Sequence, residues 1–277
     1  MKSVTKVIHK FLIYIFALIL VIFTGYPFLY MVTTSFKSMN DFFLNPFSIS
    51  LDSMTFEQYV SVFEKGLFNF FLNSIYVTVG SVILVVIISA LASYPLSRLN
   101  FKLNRPLFLL FIVGMMIPIH ATLIPIFIMS NNFDLYDSLL ALIGPYVAFA
   151  LPISIFIFVQ FMREIPVELE EAAKLDGAGY WRIFINVIFP NVKPAISTVV
   201  IYNFVHIWNE FVFALVLIQS QEEMTLPLGL QKFYGEFSVN VPGLMAALTL
   251  ASLPIIAVFI FSQERVVRGL TSGSVKG

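Results

Sequence analysis

The sequence predicts an all-α integral membrane fold of six spanning helices with both termini in the cytoplasm. Three observations carry that expectation. Hydrophobic residues make up 59% of the 277 residues and charged residues only 12%, about half the charged share of a soluble domain. Six stretches almost free of Asp, Glu, Lys and Arg approach or exceed the roughly 20 residues that a spanning helix needs. The cations between them are distributed with a marked sidedness.

The stretches lie within residues 11–36, 66–97, 106–133, 138–162, 194–221 and 237–263, and the fifth carries one acidic residue, Glu210. The first follows Lys2, Lys6 and Lys10, as a signal peptide would. Its apolar run is longer than an h-region and no small-x-small cleavage site follows, so it reads as a retained first span. The N-terminus, the 95–105 loop, the 163–193 loop and the C-terminal tail hold 13 of the 16 Lys and Arg residues. The opposite loops hold Lys37, Lys65 and Lys232 beside nine acidic residues. The positive-inside rule therefore places the first set, with both termini, in the cytoplasm of a plasma or inner membrane. Pro27, Pro118, Pro125, Pro145, Pro152 and Pro254 interrupt the stretches. Each removes a backbone donor, which suits either ordinary bundle packing or an irregular bundle with internal space.

Several chemistries are excluded or unsupported. There are no cysteines, hence no disulfide, thiol nucleophile or thiolate metal site. His9, His120 and His206 fall on three different segments, so no metal site is expected. No G-x-x-x-x-G-K-[ST] loop is present to cradle a nucleotide, no catalytic constellation appears, and no cofactor is expected. The formal net charge is zero, giving no support to nucleic-acid binding.

The longest loop on the basic side, 163–193, reads as two short helices separated by a break. Pro166 suits a first helical turn, and Glu168, Glu170 and Glu171 sit near that helix's positive end. Gly177 and Gly179 supply a C-terminal stop with freedom for positive φ. A second helix is expected from about Tyr180 to just before Pro190. Ala172 and Ala173 in the first helix would let another protein approach its backbone closely. On the residues alone, a docking platform and a plain connector both remain open.

Glu171-Ala172-Ala173, Gly177 four residues on and Val187-Ile188-Phe189-Pro190 at the end of the loop resemble the EAA signature of binding-protein-dependent ABC importer permeases. The ending departs from the family's I-x-L-P only in apolar residues. Trp208-Asn209-Glu210-Phe211, the run from Thr225 to Leu230 and the tail from Gly269 to Gly277 are similar to the maltose-type carbohydrate subfamily, in particular its six-span subunit. The resemblance implies a single permease domain over 1–277. A shared MetI-like core would cover 68–268, with the first span packed outside it and 163–193 as the coupling loop. It implies ATPase coupling through Glu171, Ala172, Ala173, Asp176 and Gly177. It also implies a second permease subunit, two cytoplasmic ABC ATPase subunits, an extracellular solute-binding protein and a sugar substrate. The chain would then be a transporter subunit rather than an enzyme. The tail 271–277 would contact the motor subunits or simply be a free end.

Asn203, His206 and Glu210 fall at i, i+3 and i+7, on one face of the fifth stretch. With Asn209 they are candidates for the translocation pathway; hydrogen bonding between helices, with Glu210 pairing to His206, is the alternative. Trp208 reads as an interfacial anchor or a sugar-stacking ring. Asn73, Ser74, His120 and Thr122 are further candidates. The loops 37–65 and 219–241, the latter with Gly229, Tyr234 and Gly235, are candidate contacts for the binding protein. The competing functions are an importer permease for glycerol phosphate, a polyamine or another small solute, a stand-alone secondary transporter or channel, and a membrane-embedded enzyme.

Overall fold

The structure is a computed structural model that describes residues 2–48, 54–233 and 240–272, with side chains described from His9 to Ser262 within those ranges. Tyr234, Gly235 and the tail 273–277, to which contacts were assigned above, lie outside the described residues. Among the described residues all regular structure is helical. In chain order the elements are α1 Lys2–Ser35, α2 Met39–Leu44, α3 Glu57–Glu64, α4 Leu67–Arg98, α5 Asn104–Gly114, α6 Ile119–Asn132, α7 Leu140–Glu164, α8 Val167–Leu175, α9 Tyr180–Asn191, α10 Lys193–Trp208, α11 Val212–Leu217 and α12 Val241–Ser272. One-turn helices at Gln221–Glu223, Leu226–Gly229 and Leu230–Phe233 lie between α11 and α12.

Four helices are long and apolar enough to cross a bilayer: His9–Ser35 of α1, α4, α7 and Val241–Ser262 of α12. Two further pairs are sharply bent, α5 with α6 by 97° and α9 with α10 by 73°, so the described residues hold four candidate spans, or up to six if each bent pair is one span. The stretch expected at 106–133 is thus bent, and the one expected at 194–221 is broken at a different place from the 73° bend: α10 ends at Trp208 and α11 begins at Val212. The first breaks because Pro118 lacks an N–H and disfavours helix at the residue before it; α5 stops at Gly114 and Pro118 sits extended at φ −71°, ψ 130° as the N-cap of α6. The second breaks after Trp208, because local side chains take over the backbone partners. Asn209 Nδ2 donates to the Val205 carbonyl at 2.7 Å, and the Glu210 carboxylate accepts the Phe213 N–H at 2.9 Å, opening α11.

A third correction concerns α9, which runs through Pro190 to Asn191 rather than ending before it. Residues Phe184–Ile188 form a π-turn, and Pro190 then falls in the first turn of Phe189–Asn191. There a missing donor costs little.

The contacts divide the chain into two compact units, residues 1–68 with 230–253 and residues 69–229 with 254–277. In the first, the window of α1 that could cross a bilayer buries none of its residues. Just beyond α1, Lys37 is buried and donates to the Asn45 and Pro46 carbonyls at 2.7 and 3.1 Å. The hydroxyls of Ser35 and Tyr59 lie 2.7 Å apart, and Phe36 meets Phe56 edge-on at 5.4 Å. Asn240 caps α12: its Oδ1 accepts the Gly243 N–H at 2.9 Å while its Nδ2 donates to Gln58 Oε1 at 3.1 Å.

The second unit holds two main apolar clusters. One gathers Val85 and Tyr94 of α4, Phe158 and Met162 of α7, Ile183 and Ile188 of α9 and Val199 of α10. The other gathers Val77, Leu142, Tyr146, Ile207, Phe213 and Leu217. Between α4 and α7, Ser93 Oγ donates to the Ile155 carbonyl at 3.2 Å, a hydrogen bond from one helix to the other. The segment after α11 is tied down as well. Asn73 Nδ2 donates to the Glu222 and Met224 carbonyls at 2.7 and 2.9 Å, and Ser74 Oγ accepts the Leu226 N–H at 2.7 Å. Ahead of α7, Asp137 stands at φ 58° and its Oδ1 accepts the Gln219 N–H, the Ser220 N–H and the Ser220 hydroxyl at 2.7, 2.7 and 3.0 Å.

Two outcomes are expected from this packing. A Cβ at Gly229 would overlap Cδ2 of the buried Phe70 ring. Gly229→Ala should therefore destabilise the solubilised protein by about 1–3 kcal/mol, as overpacking does. Adding Phe70→Leu should return much of the loss in a thermal melt. At Asp137, burial raises the carboxyl pKa, but the hydrogen bonds from the Ser220 and Gln219 N–H groups and the Ser220 hydroxyl outweigh it and hold the carboxyl below its ordinary value. A depressed carboxylate contributes stability that is present above its unfolded pKa and is lost as pH falls through the folded one. The melting advantage of the wild type over Asp137→Asn should thus be full at neutral pH and vanish below the ordinary aspartate range.

Candidate functional site

The loop at 163–193 is built by local punctuation. α7 ends at Glu164, Ile165 and Pro166 are extended, and α8 begins at Val167 with Glu168 and Glu170 in its first turn. It stops in a Schellman turn: Gly177 has φ +78°, its N–H donates to the Lys174 carbonyl at 3.0 Å, and the Ala178 N–H donates to the Ala173 carbonyl at 2.9 Å. A Cβ at Gly177 would meet nothing within 4 Å, so glycine is required there by the backbone angle alone.

Two anchors join this loop to the long helices. Ile183, Phe184 and Ile188 of α9 are buried in the same cluster as α4 and α7. In α8, Glu170 is 4% exposed and forms an ion pair with Arg98, at the end of α4, with Nε and Oε1 2.9 Å apart. The Arg98 Nη2 also donates to the Ile165 carbonyl at 2.6 Å. One guanidinium thus holds both the entry to the loop and its first helix. Sequence reasoning grouped Glu170 with Glu168 and Glu171 as helix-end charges and missed this pair. The signal was Arg98 standing at the end of a long apolar run.

The other face of the loop is open. Glu171, Ala172, Asp176 and Gly177 are exposed, and Ala173 is half-buried against the core. Around them Leu175 is 89% exposed, with Val167, Leu169, Tyr180 and Trp181 also exposed. The five residues assigned to coupling therefore lie on one short segment, four of them facing outward beside an apolar surface.

The polar residues near the end of α10 do not assemble into one wall. Asn203 is 1% exposed, its Nδ2 donating to Ser154 Oγ at 2.9 Å and to the Val199 carbonyl at 2.8 Å. His206 is exposed, stacks on Tyr202 at 4.1 Å and donates from Nδ1 to the Tyr202 carbonyl at 2.9 Å. Asn209 is exposed at the C-cap. Because the helix ends at Trp208, the i, i+3, i+7 face does not continue to Glu210. That carboxylate accepts the Tyr146 hydroxyl at 2.6 Å, not His206. Tyr146 was invisible to sequence reasoning because it sits inside the apolar run of α7. Trp208 is buried, with Phe71 at 5.5 Å and Phe204 at 5.6 Å, rather than standing as an exposed interfacial anchor. His120 is exposed and Thr122 bonds its own helix, through the Ile119 carbonyl at 2.7 Å. Among the described residues no three His, Asp or Glu side chains are grouped so as to hold a metal ion.

Comparison with known proteins places this arrangement. Residues 83–272 match the family described as binding-protein-dependent transport system inner membrane component. The chain is 45% identical over 265 residues to the putative ABC transporter permease protein ORF2 of Caldicellulosiruptor sp., covering 95% of this chain and 96% of that protein. It is 35% identical over 256 residues to the melibiose/raffinose/stachyose import permease protein MelC of Bacillus subtilis, covering 91% of each. In fold it is similar to a chain of a bacterial ABC transporter involved in the import of the polysaccharide alginate, with a TM-score of 0.81 over 95% of this chain and 96% of that one, at 23% identity. The chain is a multi-pass membrane permease subunit and belongs to the binding-protein-dependent transport system inner membrane component family.

Proposed function

We propose that this chain is the six-span permease subunit of an ATP-driven importer that carries a sugar or oligosaccharide into the cell, coupled to its motor through the loop 163–193. α5 with α6 forms the third span in this reading, and α10 with α11 forms the fifth. α8 and α9 lie on the cytoplasmic face, and both termini are cytoplasmic. The core 68–268 pairs with a second permease subunit, and two ABC ATPase subunits bind beneath. An extracellular solute-binding protein delivers the substrate to the opposite side. The positive-inside asymmetry supports the orientation, and the name of the Bacillus subtilis relative supports an oligosaccharide substrate.

The observation that carries the coupling reading is the two-faced character of the loop. One face is anchored to α4 and α7 through buried contacts, while the other leaves Glu171, Ala172 and Leu175 exposed. When ATP closes the motor, a platform held in this way moves the spans rather than bending away from them. That makes the loop a two-state element biased from a distant site. Asn203, His206, Asn209 and Glu210 remain pathway candidates. The bonds of Asn203 and Glu210 to α7 favour a role in holding α10 and α11 in place.

ATP-dependent accumulation of a labelled oligosaccharide in proteoliposomes, with the ATPase, partner permease and binding protein present, tests the function. Accumulation by this chain alone without ATP would point to a secondary transporter. In the same system Gly177→Val should leave ATP hydrolysis but lose uptake, because a β-branched residue in the left-handed region costs about 1–3 kcal/mol. Gly177→Asn should be milder, since asparagine tolerates that region. Full coupled uptake by Gly177→Val would contradict the assignment. Arg98→Met or Glu170→Met alone should destabilise by about 3–5 kcal/mol by leaving one buried charge unpaired, and the double variant should melt near the wild type.

A further inference from the structure

Between the start of α5 and the end of α7 lies an open cavity of about 400 Å³ lined by Asn104, Arg105, Phe108, Leu109 and Arg163. The Arg163 guanidinium lies 5.5 Å from the centroid of the Phe108 ring, which stacks in turn on Phe156 at 6.5 Å. Neither arginine forms an ion pair among the described residues, where the pair of Arg98 with Glu170 is the one found. Asn104 Nδ2 donates to the Leu99 carbonyl at 2.7 Å, closing the turn that brings Arg105 to the cavity. α5 opens there without a side-chain cap; the Asn104 N–H is taken by the Phe101 carbonyl at 3.0 Å and Pro106 has none, so the helix adds chiefly its positive dipole end to the field of the two guanidiniums.

This chemistry calls for an anion with a planar or tetrahedral array of oxygens, which a guanidinium binds with paired hydrogen bonds. The surroundings narrow the choice further. Leu109, Leu110 and Phe156 are exposed on the adjoining turns of the same two helices, an apolar surface for which a soluble anion has no use. We propose that this cavity binds the phosphate headgroup of an anionic phospholipid of the cytoplasmic leaflet, with Arg105 and Arg163 holding the phosphate and the acyl chains lying along Leu109, Leu110 and Phe156. Basic pockets between spanning helices on the cytoplasmic side are suited to such headgroups. Its placement in that leaflet rests on the orientation proposed above. A lipid bound there would bridge α5 to α7 at Arg163, the first residue of the coupling loop.

The test uses the whole transporter in phosphatidylcholine nanodiscs doped with phosphatidylglycerol, with retained lipid read by native mass spectrometry. The wild type should retain phosphatidylglycerol over phosphatidylcholine. Arg105→Gln and Arg163→Gln should each lower that preference about fivefold, and the double variant should abolish it. Equal retention of the two lipids by the wild type would overturn the proposal without recourse to any variant. Displacement by excess inorganic phosphate would assign the cavity to a free anion, and retention only after the ATPase subunits are stripped from the transporter would assign it to that partner; either result overturns the lipid site. The orientation is tested separately. The chain has no cysteine, so Lys174→Cys gives one reactive thiol, expected to react with an impermeant maleimide only in inverted vesicles. Reaction in intact cells would overturn the leaflet assignment, a failure distinct from loss of lipid preference.

Discussion

A backbone hydrogen bond lost inside a bilayer has no water to replace it, and this constraint governs where the helices of this chain are allowed to break. At Met115–Pro118 the break follows a proline that has no donor to lose. At Asn209–Phe211 it is covered by side chains: Asn209 bonds back to Val205, and Glu210 supplies an acceptor to Phe213. Glu210 is therefore a capping group as well as an acidic residue in an apolar stretch. Its second oxygen takes the Tyr146 hydroxyl, so the break that frees α11 also ties it to α7. In the loop, outside the apolar stretches, the last carbonyls of α8 are met by the Schellman turn at Gly177.

On the proposed reading the breaks around the loop also serve coupling, since a straight connection from α7 to α10 would leave nothing projecting for a motor to hold. The turn at Gly177 instead folds α8 and α9 into a platform whose inner side is committed to the core. Arg98 is central to that commitment, because its guanidinium meets both the Ile165 carbonyl and the Glu170 carboxylate. A buried pair of this kind contributes little net stability relative to an apolar one. Its contribution lies in directional hold: α8 cannot shift without α4 unless a charge is left unpaired. On the proposed reading, that hold passes the motor's movement to the spans.

The long elements were legible because run length and apolarity are local properties. α1, α4, α7 and α12 follow the expected stretches closely. The two-helix loop was legible for the same reason, since Pro166 and Gly177 act on their own neighbours. Partnerships across the sequence were not. Tyr146 and Glu210 lie 64 residues apart, and nothing in an apolar run marks which tyrosine will meet a carboxylate. Trp208 read as an anchor because burial by Phe71 and Phe204 depends on packing rather than on residue type. Pro118 was marked as an interruption, but the break after Trp208 escaped notice because hydropathy counts apolar atoms and is blind to where a backbone donor has gone.

The central claim is that the loop moves as one body with α4, and distances between paired spin labels test it directly. Cysteines at Lys174 and Asn100, both exposed, would report the loop against the end of α4. Cysteines at Lys174 and Asn132 would report it against the end of α6. Measured in the assembled transporter with and without trapped ATP, the first distance should stay unchanged while the second shifts. A first distance that changes on ATP binding while the second stays fixed would mean that the loop slides over an unmoved core, and would contradict the account.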